Sequence, residues 1–501
     1  MKKTVLNFKI MAALQLVFFI ISFGAVQRMM AHSSANNVDM TWASAYSFAN
    51  HYVSLSSIQQ TSDGGYIGVG YISPNGEEQI VYIWVVKLDS AGEIIWQRQI
   101  GRGLSQLYDE GFVVRELPDG DFALLGSSQF PDGPTWRLNL WLGRISSDGE
   151  MLWQKRIGDN SLYFSPASMI VTNDGSIAVL AERIVVGVAW ADFWLAKLDG
   201  DGQILWERIY GGGDVEYPSD LLETATGEYL ITGSSVSFSS NLWGDAWLLK
   251  LDRDGEIIWQ KKFGGERFEK GYHILPASEG GYLLAGVTAS YVIYPDYGHV
   301  WLIKLDTDGA ITWQKTYRIS PGAGEPVIGY MAATDSYVIS TRTDTAESWT
   351  FAVDTNGNIM WQKFFDFPGG IGDLQPTDDG GIIMAGPSIN VDWDLYGWLV
   401  TKASATGDVS DCAEIVEVED GISIVTNDEG IDTASFSLVT DTPVSDEAYP
   451  VIATFATRNQ WCPVIPEMTP TPTLAPTVTP TMTPTPMFTP DHWDYLPAIV
   501  R

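Results

Sequence analysis

Basic residues are scarce in this chain: 29 Lys and Arg stand against 62 Asp and Glu in 501 residues, a formal charge of −33. No basic stretch exists to meet phosphate, which excludes nucleic acid and anionic lipid surfaces as partners. The acids serve to keep a Trp-rich protein in solution. Cysteine is almost absent. Cys412 and Cys462 allow at most one intrachain cross-link. Histidine is equally thin, and none of His51, His273, His299 and His492 sits beside a nucleophile motif, so a serine triad has no base. No stretch sustains a helical period. The one long apolar run, 10–26, is interrupted by Gln15 and Ser22 and is short for a permanent span. Lys2, Lys3 and Lys9 precede it, and Ser33 to Ala35 offer a small-x-small cleavage site. Residues 1–35 therefore read as a signal peptide whose removal leaves no integral span, the alternative being an uncleaved anchor.

What is present is one sentence, repeated. Its clearest copies are WLLKLDRDGEIIWQKKFGG (247–265), WLIKLDTDGAITWQKTY (301–317) and WLAKLDGDGQILWERIYGGG (194–213). Looser copies start at Trp84, Trp141, Trp349 and Trp398, giving seven units about 50 residues apart. Each copy is an apolar run, an Asp-Gly turn and a second apolar run ending in Trp-Gln-Lys or a close variant, which is the pattern of a β-hairpin. Upstream of it lies a second hairpin, seen in QQTSDGGYIGVGYI (59–72) and PASEGGYLLAGVTA (276–289). Four antiparallel strands per unit predict an all-β, seven-bladed β-propeller over residues 36–411. The seventh unit carries Asp411 where its last Trp should be, while residues 40–48 match the end of a unit at Thr41, Trp42 and Tyr46. The amino-terminal strand is thus expected to complete blade seven and close the ring, removing an exposed edge. Trp96, Trp153, Trp206, Trp259, Trp313 and Trp361 recur at one place and are expected to be buried between blades.

The Asp-x-x-Gly-x-x-x-Trp string (Asp89, Gly92, Trp96; Asp252, Gly255, Trp259; Asp306, Gly309, Trp313) resembles the tryptophan-docking repeat of the quinoprotein-type, PQQ-like propellers. The fuller unit is similar to repeats of large secreted and surface proteins of bacteria. The resemblance implies architecture and little about activity. Here the stretch from Asp to Gly is one residue shorter than in that family, and its adjacent cysteines are missing. Quinone-dependent dehydrogenase activity is therefore disfavoured and no cofactor is expected. The Asp-Gly turns lack the third acid and the distant Glu of an EF-hand loop, which leaves a structural Ca2+ ion as the minor reading of each.

Residues 412–465 are not a repeat. Short alternating runs predict a small β appendage, with Cys412 and Cys462 bracketing it and pairing in an exported chain. Residues 466–490 are a Thr/Pro-rich linker, read as stiff and disordered with a reach of ~75 Å. Residues 491–501 form an aromatic C-terminal tail.

Aligning the units on the TSDGGY turn places Ser57, Ser168, Asp220, His273 and Asp373 at equivalent points of the first strand, with Val113 in the second unit. First strands of a propeller border its channel, so these residues predict a polar ring there, the alternative being residues that satisfy backbone groups or hold channel water. The longest insertions (73–81, 130–139, 236–244, 291–299) carry Trp136, Phe238, Trp243 and Tyr297. Loop aromatics suit protein or glycan contacts. The expected function is an exported, non-catalytic, monomeric binding or display module, secreted or attached at the cell envelope. The alternative is a secreted carbohydrate-active hydrolase or lyase with its site in the channel.

Overall fold

The computed structural model describes residues 41–47, 51–74, 80–101, 107–130, 137–158, 162–185, 187–188, 190–239, 242–290, 298–317, 324–343, 348–365, 370–389 and 396–409, and five short strands between 422 and 460. The signal-peptide, Thr/Pro-linker and tail readings, with Cys412, Cys462, Trp136 and Tyr297, lie outside the described residues.

Every described element is a strand. β1 (Trp42–Ser47) precedes the first repeat, which is β2 (His51–Gln60), β3 (Tyr66–Pro74), β4 (Ile80–Leu88) and β5 (Ile94–Ile100). The second is β6 (Leu107–Glu116), β7 (Phe122–Phe130), β8 (Arg137–Ile145) and β9 (Met151–Ile157). The third is β10 (Leu162–Val171), β11 (Ile177–Val185), β12 (Ala191–Leu198) and β13 (Ile204–Tyr210). The fourth is β14 (Glu216–Glu223), β15 (Tyr229–Ser235), β16 (Asp245–Leu251) and β17 (Ile257–Phe263). The fifth is β18 (Glu269–Pro276), β19 (Tyr282–Thr288), β20 (His299–Leu305) and β21 (Ile311–Tyr317). The sixth is β22 (Val327–Met331), β23 (Ser336–Arg342), β24 (Ser348–Asp354) and β25 (Ile359–Phe365). The seventh has only three strands of its own, β26 (Asp373–Pro376), β27 (Ile382–Ile389) and β28 (Tyr396–Ala403).

Within each repeat the strands pair in chain order as an antiparallel meander, and the blades stand in a propeller arrangement. First strands touch in a closed circuit: β2 meets β6, then β10, β14, β18, β22 and β26, which returns to β2. The expectation of seven separate blades is corrected in one respect. Counted by backbone hydrogen bonding, five blades are sheets of their own, while the first two repeats share one ten-stranded sheet. The join is a short parallel ladder between β4 and β6, Ile80 opposite Leu107 and Val81 opposite Tyr108.

The core is divided into clusters, each shared by two consecutive repeats. This follows from strands such as β15 and β19, which are buried on both faces and so read as continuous apolar runs rather than alternations. The anchors are the leading tryptophans: Trp84, Trp141, Trp194, Trp247 and Trp398 are fully buried and Trp301 and Trp349 nearly so. In the first six repeats, Trp84 to Trp349, each donates its indole N–H to a residue 13 positions on, Gln97, Gln154, Glu207, Gln260, Gln314 or Gln362.

The second tryptophan of each unit differs from expectation. These six residues are half-buried, not buried. Each docks on the Asp-Gly turn of the next repeat: Trp96 donates to Ser147 O (2.9 Å), Trp153 to Gly200 O (3.0 Å), Trp313 to Thr355 O and Trp361 to Ala405 O (3.2 Å each), while Trp206 and Trp259 lie over Gly255 and Gly309. The reason is geometric. A fourth strand is the outer strand of its blade, so its side chains find only the neighbour's turn to cover them. Gly309 has φ +77°, and a Cβ there would stand 2.9 Å from the Trp259 ring, so both the turn and the dock require glycine. In each turn the Asp carboxylate is already used, as where Asp252 Oδ1 accepts the amides of Asp254 and Glu256.

β1 closes the ring as its sequence predicts. It pairs antiparallel with β28, Trp42 opposite Lys402 and Tyr46 opposite Trp398. Trp42 donates to Ser90 O (3.2 Å) and Tyr46 to Gly92 O (2.6 Å) in the first repeat. Tyr46 stacks on Trp398, which meets Trp84 edge-on.

Of residues 412–465, expected as a small β appendage, five short strands are described. β29 (Ile422–Ser423), β30 (Ser437–Leu438), β31 (Val444–Ser445), β32 (Val451–Ala453) and β33 (Thr457–Gln460) pair antiparallel with β21, β13, β9, β5 and β1 respectively. Unpaired outer edges recruit strands, and two to four residues suffice when the template is already a sheet.

Candidate functional site

The channel is lined by the first strands, and a repeated irregularity aims their side chains. In β2, β6, β10, β14 and β18 the register shifts immediately before Ser57, Val113, Ser168, Asp220 and His273. Such a bulge opposes two residues to one and re-aims the residue that follows. β22 shows no shift.

The structure joins three of the aligned residues directly. Ser168 Oγ donates to Asp220 Oδ1 (3.0 Å), and His273 Nδ1 stands 3.4 Å from Asp220 Oδ2. Asp220 also accepts the amides of Leu221 (2.8 Å) and Ile274 (3.1 Å). Asp373 sits apart from this trio and accepts the amide of Ile58 (2.8 Å) and the side chain of Gln375 (3.0 Å). Ser57 is buried and lies 3.4 Å from Arg115 Nη1.

Arg115 is the residue that sequence reasoning missed. The alignment stopped at Val113, but strand alternation puts the residue two further on in line with it. Burial pulls its guanidinium below its usual pKa, opposed by the charges of Asp373 and Asp220. One cation thus feels carboxylates contributed by two other repeats.

Burial raises the Asp220 carboxyl, but the His273 hydrogen bond and charge and the two amides outweigh it and hold the group below the ordinary range. Burial likewise pushes the His273 imidazole down, and the Asp220 bond and charge, with Asp373 and Glu325 further off, raise it instead. A raised His contributes stability that is full below its unfolded pKa and lost as pH rises through the folded one. A depressed Asp contributes stability present above its unfolded pKa and lost as pH falls through the folded one. The pair is therefore strongest from about pH 4 to about pH 6.5. Imidazole NMR should find His273 titrating above the ordinary imidazole range, and Asp220→Asn should bring it down. An unchanged midpoint in Asp220→Asn would remove the proposed pairing.

Chemically this is a compensated charge network. Both Asp220 oxygens are already engaged, by Ser168, His273 and the amides of Leu221 and Ile274, so a substrate proton would have to compete with these partners.

Exposed large apolar side chains lie on the outer strands, as at Ile95, Leu152, Leu205, Ile258 and Met360, and at one mouth. Turns after first and third strands, such as 61–65 and 89–93, are tight, and antiparallel alternation gathers them on one face. The opposite strand ends, Pro74 and Ile80, Phe130 and Arg137, Ser235 and Asp245, Thr288 and His299, face the other side. On that second face Leu242 (89%), Trp243 (63%), Trp190 and Tyr217 (44% each) are exposed, all from the third and fourth repeats.

No family model matches this chain, and no curated protein does. Among solved structures, a protein of unknown function from Bacteroides caccae is 11% identical, with 66% of this chain and 100% of that one covered at TM-score 0.38. An apocarotenoid oxygenase of Synechocystis is 13% identical, with 76% and 96% covered at TM-score 0.40. At such scores the likeness assigns no activity.

Proposed function

We propose that this chain is an exported binding module, a ring of seven blades that takes a protein or glycan ligand on its loop face at the cell envelope. The count of seven takes the ten-stranded sheet as two blades joined at β4 and β6. The closed circuit of first strands and the docking of each outer tryptophan on the next repeat support it.

The single observation that carries the binding reading is the exposed set Trp190, Leu242, Trp243 and Tyr217 on adjacent repeats. Large apolar side chains left in water on one face are the usual mark of a contact surface, and indole faces stack on sugar rings as readily as on protein. The test is a Trp190→Ala/Trp243→Ala double variant, assayed on a glycan array and by pull-down from envelope extracts. We expect binding to weaken at least tenfold (about 1.4 kcal/mol or more) with the melting curve unchanged. Unaltered binding would refute the assignment of the face. The alternative, a carbohydrate-active hydrolase or lyase, places the work on Asp220, His273 and Asp373. Turnover of a polysaccharide that disappears when these three are substituted would establish it instead.

A further inference from the structure

Two half-buried ions of opposite sign stand opposite each other on the loop-face ends of β11 and β12, and they do not meet. Arg183 and Asp192 are register partners in one antiparallel ladder. Opposite charges so placed ordinarily close on each other. Here, among the described residues, neither makes a hydrogen bond or an ion pair, and Arg183 Nε is shut off from water without an acceptor. Burial pulls the Arg183 guanidinium down against the charges of Asp192 and Glu207, and pushes the Asp192 carboxyl up against the charge of Arg183.

The repeats show that this mismatch is particular to one place. The residue two positions before the leading tryptophan is Asn139 in the second repeat, Asp192 in the third and Asp245 in the fourth. Asn139 carries no charge, and Asp245 is neutralised by Lys262 at 3.1 Å. Lys262 follows the second tryptophan of its unit by three residues, and the third repeat has Ile209 there. Asp192 is therefore left without the cation its neighbour has. The connection to the fourth repeat passes close by, where a Cβ at Gly211 would stand 1.9 Å from Asp192 Oδ1 and 2.9 Å from Glu216 Oε2. Glu216 is already engaged, by Ser235 Oγ (2.9 Å) and the amides of Gly212 (3.2 Å) and Ser237 (3.3 Å).

Half-buried polar groups without partners cost free energy that a ligand supplying the missing bonds recovers. The ligand must offer an acceptor to Arg183 and a donor to Asp192, and neighbouring hydroxyls can do both. Trp190 precedes Asp192 by two positions, the spacing that keeps extended side chains on one side, and is 44% exposed. An indole plane of this kind takes the C–H face of a sugar ring. Asp192, Glu207 and Glu216 outnumber Arg183, so a carboxylated sugar would be repelled.

We propose that Trp190, Arg183 and Asp192 form a subsite for a neutral sugar ring, the indole carrying its C–H face and the two ions holding two neighbouring hydroxyls. The subsite rests on the reading of the loop face as a contact surface and names a neutral glycan as its ligand.

The test runs the full chain through native gels containing mannan, xylan or a mixed-linkage β-glucan, with polygalacturonate as the anionic comparison. At least one neutral polymer should retard the wild type, and polygalacturonate should retard it less. Arg183→Met, Asp192→Ala and Trp190→Ala should each raise the dissociation constant at least tenfold. Their melting temperatures should not fall, because neither ion has a partner to lose. A lower melting temperature in Arg183→Met or Asp192→Ala would make the two a structural pair and overturn the subsite. Wild type retarded by no neutral polymer, or more strongly by polygalacturonate, would overturn it as well. If Arg183→Met and Asp192→Ala bind as wild type while Trp190→Ala/Trp243→Ala does not, or if the face takes a protein and no polysaccharide, the subsite falls and the contact surface stands. If the double tryptophan variant also binds as wild type, both fall.

Discussion

Deleting residues 36–48 is expected to abolish the cooperative melt of this protein, while deleting residues 466–501 should leave it in place. The first truncation removes the ladder from Trp42 to Ser47 on β28, and with it Trp42 and Tyr46 from the cluster that joins the seventh repeat to the first. Two large side chains lost from one interface cost roughly 6–10 kcal/mol at 3–5 each, as much as the whole net stability of a typical domain. Trp398 would lose its stacking partner, and β28 would become an open edge prone to association. Thermal melts and size-exclusion profiles of the two truncations decide it. Equal melting temperatures and monomeric peaks for both would show that β1 does not close the ring.

Trp247→Ala should be the most damaging single substitution among the repeat residues, and clearly worse than Trp259→Ala. Trp247 is fully buried, touches Phe193 and Phe238, and donates to Gln260 (3.0 Å), so its removal opens a cavity and orphans an acceptor at a cost of about 3–5 kcal/mol. Trp259 is half-buried on the turn of Gly309 and should cost about 1–2 kcal/mol. Chemical denaturation of the two variants measures the difference. The same loss in both would mean that docking on the turn, and not the interior tryptophan, holds consecutive blades together.

The repeat was plain because glycine turns and tryptophans recur at fixed places, and the role of residues 40–48 was plain because Thr41, Trp42 and Tyr46 copy the end of a unit that lacks its own. Which of the two tryptophans is interior was not legible, since both sit in apolar strands and only strand order from channel to rim separates them. The positions of Asp220 and His273 could be aligned, but their pairing depends on bulges that reach across a blade boundary. Arg115 was missed because its partners come from other repeats, and the parallel join at Ile80 and Val81 because two residues leave no period to detect. The rim strands were hidden for the same reason: an edge already made of backbone will pair with almost any two to four residues.

The direction of β1 decides which end of the blade each of its residues occupies. β1 enters at Trp42, beside the tight turn that follows β28, and climbs away from it, while β33 runs antiparallel to it and descends from Thr457 to Gln460. Trp42 on β1 and Gln460 on β33 therefore lie toward the tight-turn end of the same sheet, and Ser47 and Thr457 toward the other.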